Sequence, residues 1–212
     1  MDKKAILFNG PPGCGKDTAA AIARNYLDGK HHVRSFQGFK TAHHKFANPL
    51  KAAAHTLYGL PFSADYYEKE FGHDWKNKPQ VEFFGKTPRE IYISLSEDFA
   101  KVHGGEQFFG RIAARAIALE KSTNVFVFSD SGFAAEAGPV IEKLGAVNVL
   151  IVEIERSGTS FAGDSRSYIG HDIKTSFADK VKVIRLPNNQ DKMLFRTLIN
   201  STLKDWLEVY DE

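Results

Sequence analysis

The sequence predicts an α/β fold, and three observations carry that expectation. The apolar run Ala5–Phe8 leads directly into a glycine-rich loop, which opens into the Ala-rich stretch Thr18–Leu27. Two later runs, Val125–Phe128 and Val147–Ile154, are almost continuously apolar. Strands of that kind are covered on both faces, as in parallel sheets. Segments of helical spacing alternate with these strands along most of the chain.

The first loop reads Gly10-Pro11-Pro12-Gly13-Cys14-Gly15-Lys16-Asp17-Thr18. Strand, glycine loop and helix in this order make a phosphate-binding P-loop. A triphosphate needs several backbone N–H donors at close range, hence glycines without Cβ, together with a helix N-terminus and an ammonium group. Gly10, Gly13 and Gly15 meet the first need and Lys16 the last. Asp17 departs from the G-x-x-x-x-G-K-[ST] pattern, standing where a hydroxyl usually reaches Mg²⁺, with Thr18 after it. A carboxylate there also complements the helix dipole.

The elements beyond the loop follow in order. Val33–Phe36 has the composition of a short strand. Phe46–Tyr58 reads as a helix with Leu50, Ala53, Ala54 and Leu57 on one face, closed by Gly59 before Pro61. Phe62–Lys78 carries Tyr66, Tyr67, Phe71 and Trp75 at spacings that suit packing as well as base stacking. Thr87-Pro88-Arg89-Glu90 is a helix start, with Thr87 as cap, Pro88 at the first helical position and Glu90 reaching back. It fixes Arg89 at a helix N-terminus. A helix from about Glu106 to Leu119 places Phe109, Ile112, Ala113 and Ala116 together.

Asp130 follows the strand Val125–Phe128 at its carboxyl end, where α/β folds keep functional groups. An acid in that place downstream of a P-loop commonly contacts Mg²⁺ or its water shell, and a loop-capping aspartate has the same appearance in sequence. Then come a helix, Ala134–Leu144, closed by Gly145, and the strand Val147–Ile154. A Gly-, Ser-, Thr-, Arg- and Asp-rich stretch from Arg156 to Lys174 suits a lid. The strand Val181–Leu186 and the helix Asp191–Leu207 finish the series.

Composition narrows the class. With 212 residues, 42% hydrophobic and 25% charged, the chain is ordinary for a globular protein and long enough for one domain, residues 1–212, with a small lid. The net charge of +2 decides little, but residues 30–51 hold Lys30, Arg34, Lys40, Lys45 and Lys51 with His31, His32, His43 and His44 and no acid. Such a stretch serves either as a solvated face or as a phosphate-facing one. The single cysteine, Cys14, forms no intrachain disulfide and has an oxidisable thiol. With no signal peptide or membrane span in sight, a cytoplasmic location without a membrane partner is expected.

Four pieces occur in a familiar order: Gly15-Lys16-Asp17-Thr18, Phe46-Ala47-Asn48-Pro49-Leu50-Lys51, Thr87-Pro88-Arg89-Glu90, and Asp130-Ser131-Gly132-Phe133-Ala134-Ala135-Glu136. The set resembles the bacteriophage deoxynucleoside monophosphate kinases, over most of the chain, and Gly-Lys-Asp-Thr is itself a spelling of that family. The resemblance implies a P-loop NMP-kinase-like three-layer fold, with a central parallel sheet, helices on both faces and a small lid at approximately 156–174. An acceptor-side helical region would occupy approximately 40–105.

The resemblance further implies ATP with Mg²⁺ as phosphoryl donor. Lys16 would bridge the β- and γ-phosphates, Asp130 or Asp17 would hold Mg²⁺ or orient the acceptor, Arg89 would contact the acceptor, and the lid residues Arg156 or Arg166 would close over the transferring group. Two features depart from the family: Gly132 replaces an arginine of the phosphate-handling set, and Ser165-Arg166-Ser167-Tyr168 replaces a His-x-Ser-Glu in the lid. Both fall on the acceptor side. They favour an alcohol on a base as acceptor, as in the related phage kinases that phosphorylate 5-hydroxymethyluracil within DNA during thymidine hypermodification. The alternative partner is a free deoxynucleoside monophosphate, and a more distant one is a nucleotide-binding module without catalysis. On the DNA reading, Tyr66, Tyr67 or Trp75 would help to hold an exposed base.

Overall fold

The computed structural model describes residues 2–29, 39–72, 74–189 and 191–208. Five strands, β1 (Lys4–Asn9), β2 (Thr41–His44), β3 (Val125–Ser131), β4 (Val149–Glu155) and β5 (Lys182–Pro187), form one sheet in the order β2-β3-β1-β4-β5. Every pairing is parallel. All strand carboxyl ends therefore share one edge of the sheet, and the loops that leave them converge there.

Alternation along the central strands divides the core into two layers. Ile6, Phe8, Val125, Val127, Leu150 and Val152 point to one face, where they meet Ala19, Ala23 and Leu27 of α1 (Lys16–Gly29) and Phe195, Ile199, Leu203 and Trp206 of α9 (Lys192–Glu208). Ala5, Leu7, Phe126, Phe128, Val149 and Ile151 point to the other face. There they pack on α6 (Phe108–Leu119), α7 (Ala134–Leu144) and α8 (Gly170–Phe177). Strands that are apolar on both sides require helices on both sides, and the sheet is flanked accordingly. A Cβ on Gly110 would lie 2.2 Å from the Glu136 carbonyl oxygen, so α6 and α7 touch where residue 110 has no side chain.

Between β2 and α6 the chain forms a separate helical cluster. It comprises α2 (Asn48–Leu57), α3 (Ala64–Glu70), short 3-10 turns at Trp75–Asn77 and Val81–Phe83, α4 (Pro88–Ser94), a π-helical stretch Leu95–Ala100 and α5 (Lys101–Gly104). Its core is Ala54, Leu60, Ala64, Tyr67, Trp75, Phe83, Ile91 and Tyr92. His55 sits at the centre, with Nε2 2.7 Å from the Tyr92 hydroxyl and Nδ1 2.9 Å from the Phe62 carbonyl. The capping box read from the sequence is present: Glu90 N–H donates to Thr87 Oγ1 at 3.1 Å, and Thr87 N–H to Glu90 Oε2 at 2.8 Å.

The strand expected at Val33–Phe36 lies outside the described residues. Other expectations need correction. The edge strand β2, Thr41–His44, was not expected: it is a polar segment without apolar alternation, held by pairing with β3 and by Thr41, whose N–H and hydroxyl donate to Asp28. The lid-like stretch ends earlier than Lys174, because residues from Gly170 onward are helical. Tyr67 and Trp75 are buried in the helical cluster, which removes both from any stacking role. Tyr66 alone of the three is exposed. Among the described residues no helix is long and apolar enough to cross a membrane.

Candidate functional site

The glycine loop leaves the carboxyl end of β1 and turns into α1. Gly10 has φ +148°, and a Cβ there would stand 2.6 Å from the Ile154 carbonyl oxygen and 2.7 Å from the Cys14 sulfur. At Gly15, with φ +105°, a Cβ would meet Asn188 Nδ2 at 2.5 Å. Asn188 fixes the loop from behind, donating from Nδ2 to the Cys14 carbonyl at 2.7 Å and from its backbone N–H to Glu155 O at 2.7 Å. No other residue type fits either glycine position. Pro11 and Cys14 are buried, whereas Pro12, Gly13 and Thr18 face solvent.

Lys16 is buried, and its ammonium donates to the carbonyls of Gly10 at 2.6 Å and Pro11 at 2.7 Å. Burial lowers its pKa. Cys14 is fully buried beneath the loop, and burial raises its thiol pKa, so the oxidisable thiol read from the sequence is neither exposed nor activated. Asp17 accepts a hydrogen bond from the Ser129 hydroxyl at 2.8 Å and lies 3.6 Å from the Lys45 ammonium. Burial works to raise its pKa, but the Ser129 bond and the positive charge of Lys45, with smaller contributions from His43 and Lys16, outweigh it and leave the carboxyl below its usual range. Since Ser129 donates to Asp17, the His43 Nε2 contact to Ser129 Oγ at 2.8 Å requires Nε2–H as donor.

Asp130 receives the N–H groups of Phe46 at 2.9 Å and Ala47 at 3.0 Å, one on each carboxylate oxygen. It thus caps the turn that feeds α2, while still lining the cleft in front of the glycine loop. Burial raises its pKa against those two bonds. Glu136, on the first turn of α7, is buried beside it and pushed up to about 8 by burial and by the charge of Asp130.

The cleft has a volume of about 710 Å³ and runs from the glycine loop to the helical cluster. Lys16, Asp17, Arg89, Asp130 and Arg166 all line it, so the sequence-expected residues of the loop, β3, α4 and the lid-like stretch meet there. Arg89 projects from the second residue of α4 and makes no hydrogen bond or ion pair among the described residues. Arg166 is held by Asp164, through Nε at 2.8 Å and through Nη2. Arg156 is elsewhere. It reaches the Gly13 carbonyl at 3.3 Å and lines a second cleft of about 430 Å³ with Gly15, Thr18, Asn188, Asn189 and Lys192. The two lid arginines therefore serve different sides of the loop.

The cleft also contains residues that the sequence did not single out as a set. Lys51 pairs with Glu68 at 2.8 Å, Lys76 reaches the same carboxylate at 3.6 Å, and Lys45 bridges Asp17 and Asp65. Their spacing matches no motif, although Lys45 and Lys51 belong to the acid-free stretch. That stretch is not one surface. Lys40 and Lys45 flank opposite ends of β2, roughly 17 Å apart at about 3.3 Å per residue. Of its histidines, His43 is bonded to Ser129 and His44 packs on Phe126 and Phe128. His31 and His32, with Lys30 and Arg34, lie outside the described residues.

Among the described residues no group of three or more His, Cys, Asp or Glu forms a metal site. Mg²⁺ needs few protein ligands when phosphates and waters complete its shell. Asp17 fits that demand, with an anionic carboxylate, largely exposed, at the mouth of the loop. Asp130 fits it less well, because backbone N–H groups already hold both of its oxygens. Comparison with protein-family models finds no match for the chain, and neither does comparison with curated proteins.

Proposed function

We propose that the protein is an ATP-dependent kinase that transfers the γ-phosphoryl group to a deoxynucleotide acceptor, with 5-hydroxymethyluracil in phage DNA as the leading acceptor. The observation that carries the kinase reading is the meeting of the glycine loop, Lys16, Asp130 and two arginines in one cleft. Phosphoryl transfer asks a protein mainly for placement and for neutralisation of charge on the equatorial oxygens. A binding module would need the loop alone.

In this reading ATP lies across the glycine loop, its base and ribose toward the smaller cleft beside Arg156 and Asn188. Lys16 exchanges the carbonyls of Gly10 and Pro11 for the β- and γ-phosphates. Asp17 would hold Mg²⁺, which when bound would neutralise charge on those phosphates. Arg89 contacts the acceptor, and Arg166 covers the transferring group. The acceptor oxygen attacks the γ-phosphorus, the bond to the β–γ bridging oxygen breaks, and the hydroxyl proton passes to Asp130.

The acceptor assignment rests on the charges of the larger cleft. Lys45, Lys51 and Lys76 each have an acid partner, and Asp130 and Glu136 stand in the same wall. Asp130 offers a proton acceptor, which a neutral alcohol needs and a phosphate dianion does not, while Glu136 beside it is favoured in its neutral form. A second reading, a free deoxynucleoside monophosphate kinase, draws on other observations: Tyr67 and Trp75 are buried and so do not stack on a base, and Lys40 is remote from Lys45, so these two lysines do not form one basic track.

γ-Labelled ATP supplied with hydroxymethyluracil DNA, ordinary DNA and the free deoxynucleotides separates the readings. Label on hydroxymethyluracil DNA alone is the expected result. Label on a monophosphate alone transfers the assignment to the second reading, and label on none, with ATP bound, leaves only the nucleotide-binding module.

A further inference from the structure

Gly132 is not a glycine for backbone reasons, since its φ lies outside the left-handed region. It is a glycine for space. A Cβ at 132 would stand 2.4 Å from Cδ, 2.5 Å from Cγ and 3.0 Å from Cβ of Arg166. The aliphatic stem of Arg166 thus lies across the bare backbone of residue 132. The clash involves the middle of that side chain, which cannot swing away without moving the guanidinium.

Arg166 is fixed at its other end as well. Asp164 takes Nε and Nη2 side by side and also accepts the backbone N–H of Arg166 at 3.0 Å. The chain on either side is tied to the sheet: Ser167 N–H donates to the Gly132 carbonyl at 3.2 Å, and Asn9 Nδ2 donates to the carbonyls of Ser131 at 2.7 Å and Ser167 at 2.9 Å. Asn9 Oδ1 in turn accepts from Ile169 N–H at 3.2 Å. What this leaves free is the outer edge of the guanidinium, Nη1 and the second Nη2 hydrogen, which is the edge that binds phosphate oxygens in pairs. Arg166 lines the cleft that also holds Lys16, Asp130 and Glu136, and its guanidinium interacts with the charges of the last two.

We propose that Gly132 and Asp164 are positioning residues that seat Arg166 in advance as a γ-phosphate-binding arginine, so that this cation does not depend on closure of the lid. The inference rests on ATP occupying the glycine loop. It goes beyond that reading by assigning the unusual glycine and the aspartate a joint role through Arg166. A seated guanidinium loses little freedom on binding, and displacing it withdraws the contact even though the arginine is still present.

The test is the ratio of ATP to ADP affinity, measured by equilibrium titration in Mg²⁺, for the unmodified protein, Arg166→Ala, Gly132→Ala, Asp164→Asn and the double variant Gly132→Ala/Arg166→Ala. A γ-phosphate contact is expected to make Arg166→Ala lose about tenfold in that ratio, with ADP affinity unchanged. Gly132→Ala and Asp164→Asn should each lose a large part of it, and the double variant should be no worse than Arg166→Ala alone. Additive losses, or equal weakening of ATP and ADP, would mean that Gly132 and Asp164 only support the fold. That result overturns the proposal. If Gly132→Ala does not fold, Asp164→Asn decides on the same ratio. An unmodified protein that binds neither nucleotide overturns the kinase reading itself, an outcome distinct from nucleotide binding with an unaltered ratio.

Discussion

The two clefts that flank the glycine loop are built from different material. The smaller one, beside Arg156 and Lys192, is held together by amide and backbone bonds, with Asn188 on the Cys14 carbonyl and Ser157 N–H donating to Asn189 Oδ1 at 2.6 Å. The larger one is framed by long charged side chains that cross between elements: Lys51 and Lys76 on Glu68, Lys45 on Asp17 and Asp65, Arg166 on Asp164. A backbone frame fixes one ligand geometry. Apart from the Arg166–Asp164 pair, which is fixed, this side-chain frame consists of ion pairs between elements, and on the proposed reading an acceptor would exchange partners with them. If the protein is a kinase as proposed, the nucleotide would fall on the first side and acceptor selectivity on the second.

The largest expected effect lies where the two sides meet. Lys16→Ala should abolish transfer, by roughly a thousandfold or more, because it removes the ammonium from the developing charge. The fold should survive, since the residue loses two hydrogen bonds to loop carbonyls and little apolar area. Lys16→Arg should fail too, a planar fork being no substitute for a compact charge. Near-normal turnover in Lys16→Ala would remove the glycine loop from the mechanism.

Asp130→Asn probes the larger cleft alone. Two orders of magnitude in turnover, on the order of ~3 kcal/mol, is the expected loss. The structure adds a second effect, the one expected of a capping aspartate. Both oxygens accept backbone N–H groups, and an amide would point its own N–H₂ at one of them, so stability should also fall by roughly 1–3 kcal/mol. Kinetics per folded molecule, with unfolding followed in parallel, separates the two. Lost stability with unchanged turnover would reduce Asp130 to a cap.

What was legible in the sequence follows the same division. The glycine loop, the Asp130 strand end and the Thr87–Glu90 cap were readable because backbone geometry ties each to a fixed local spacing. The five-stranded parallel sheet was largely readable, because its central strands are apolar on both faces. The edge strand β2 was not, since Thr41–His44 gains its pairing from β3 and carries no burial pattern. Nor was the network of Lys45, Lys51, Glu68 and Lys76, whose members come from different elements and meet only through tertiary packing. The basic stretch misled for a related reason: proximity in sequence placed Lys40 beside Lys45, and an intervening strand separates them.

Glu136 gives a pH-dependent contrast in stability. Its folded pKa, about 8, is above the usual carboxyl value, so its neutral form is favoured in the fold. Stability from this group is full below the unfolded pKa, near 4.5, and is lost as pH rises toward and through 8. Glu136→Gln should therefore lie close to the unmodified protein in unfolding free energy at pH 4 and exceed it at pH 8, by roughly 4 kcal/mol for a shift from 4.5 to about 8. The difference between the two proteins cancels every other titrating group. A constant difference across that range would show that Glu136 ionises normally, and the wall of the larger cleft would then carry two full negative charges.

The smallest effect sharpens the contrast between cleft and outer surface. Lys45 lies in the larger cleft and Lys40 at the far end of β2, so their substitutions should differ. With hydroxymethyluracil DNA as acceptor, Lys45→Ala is expected to raise the acceptor KM several-fold at low salt, because one charge beside Asp17 and Asp65 is lost. If that ammonium also meets a DNA phosphate, the dependence of log K on log salt should flatten by about 0.9. Lys40→Ala should leave both quantities unchanged. With a free deoxynucleotide as acceptor, Lys45→Ala should act on KM while the salt slope stays shallow in every variant. A flattened slope in Lys40→Ala would carry a DNA track round the edge strand to the opposite end of the sheet, and selectivity could then no longer be assigned to the larger cleft alone.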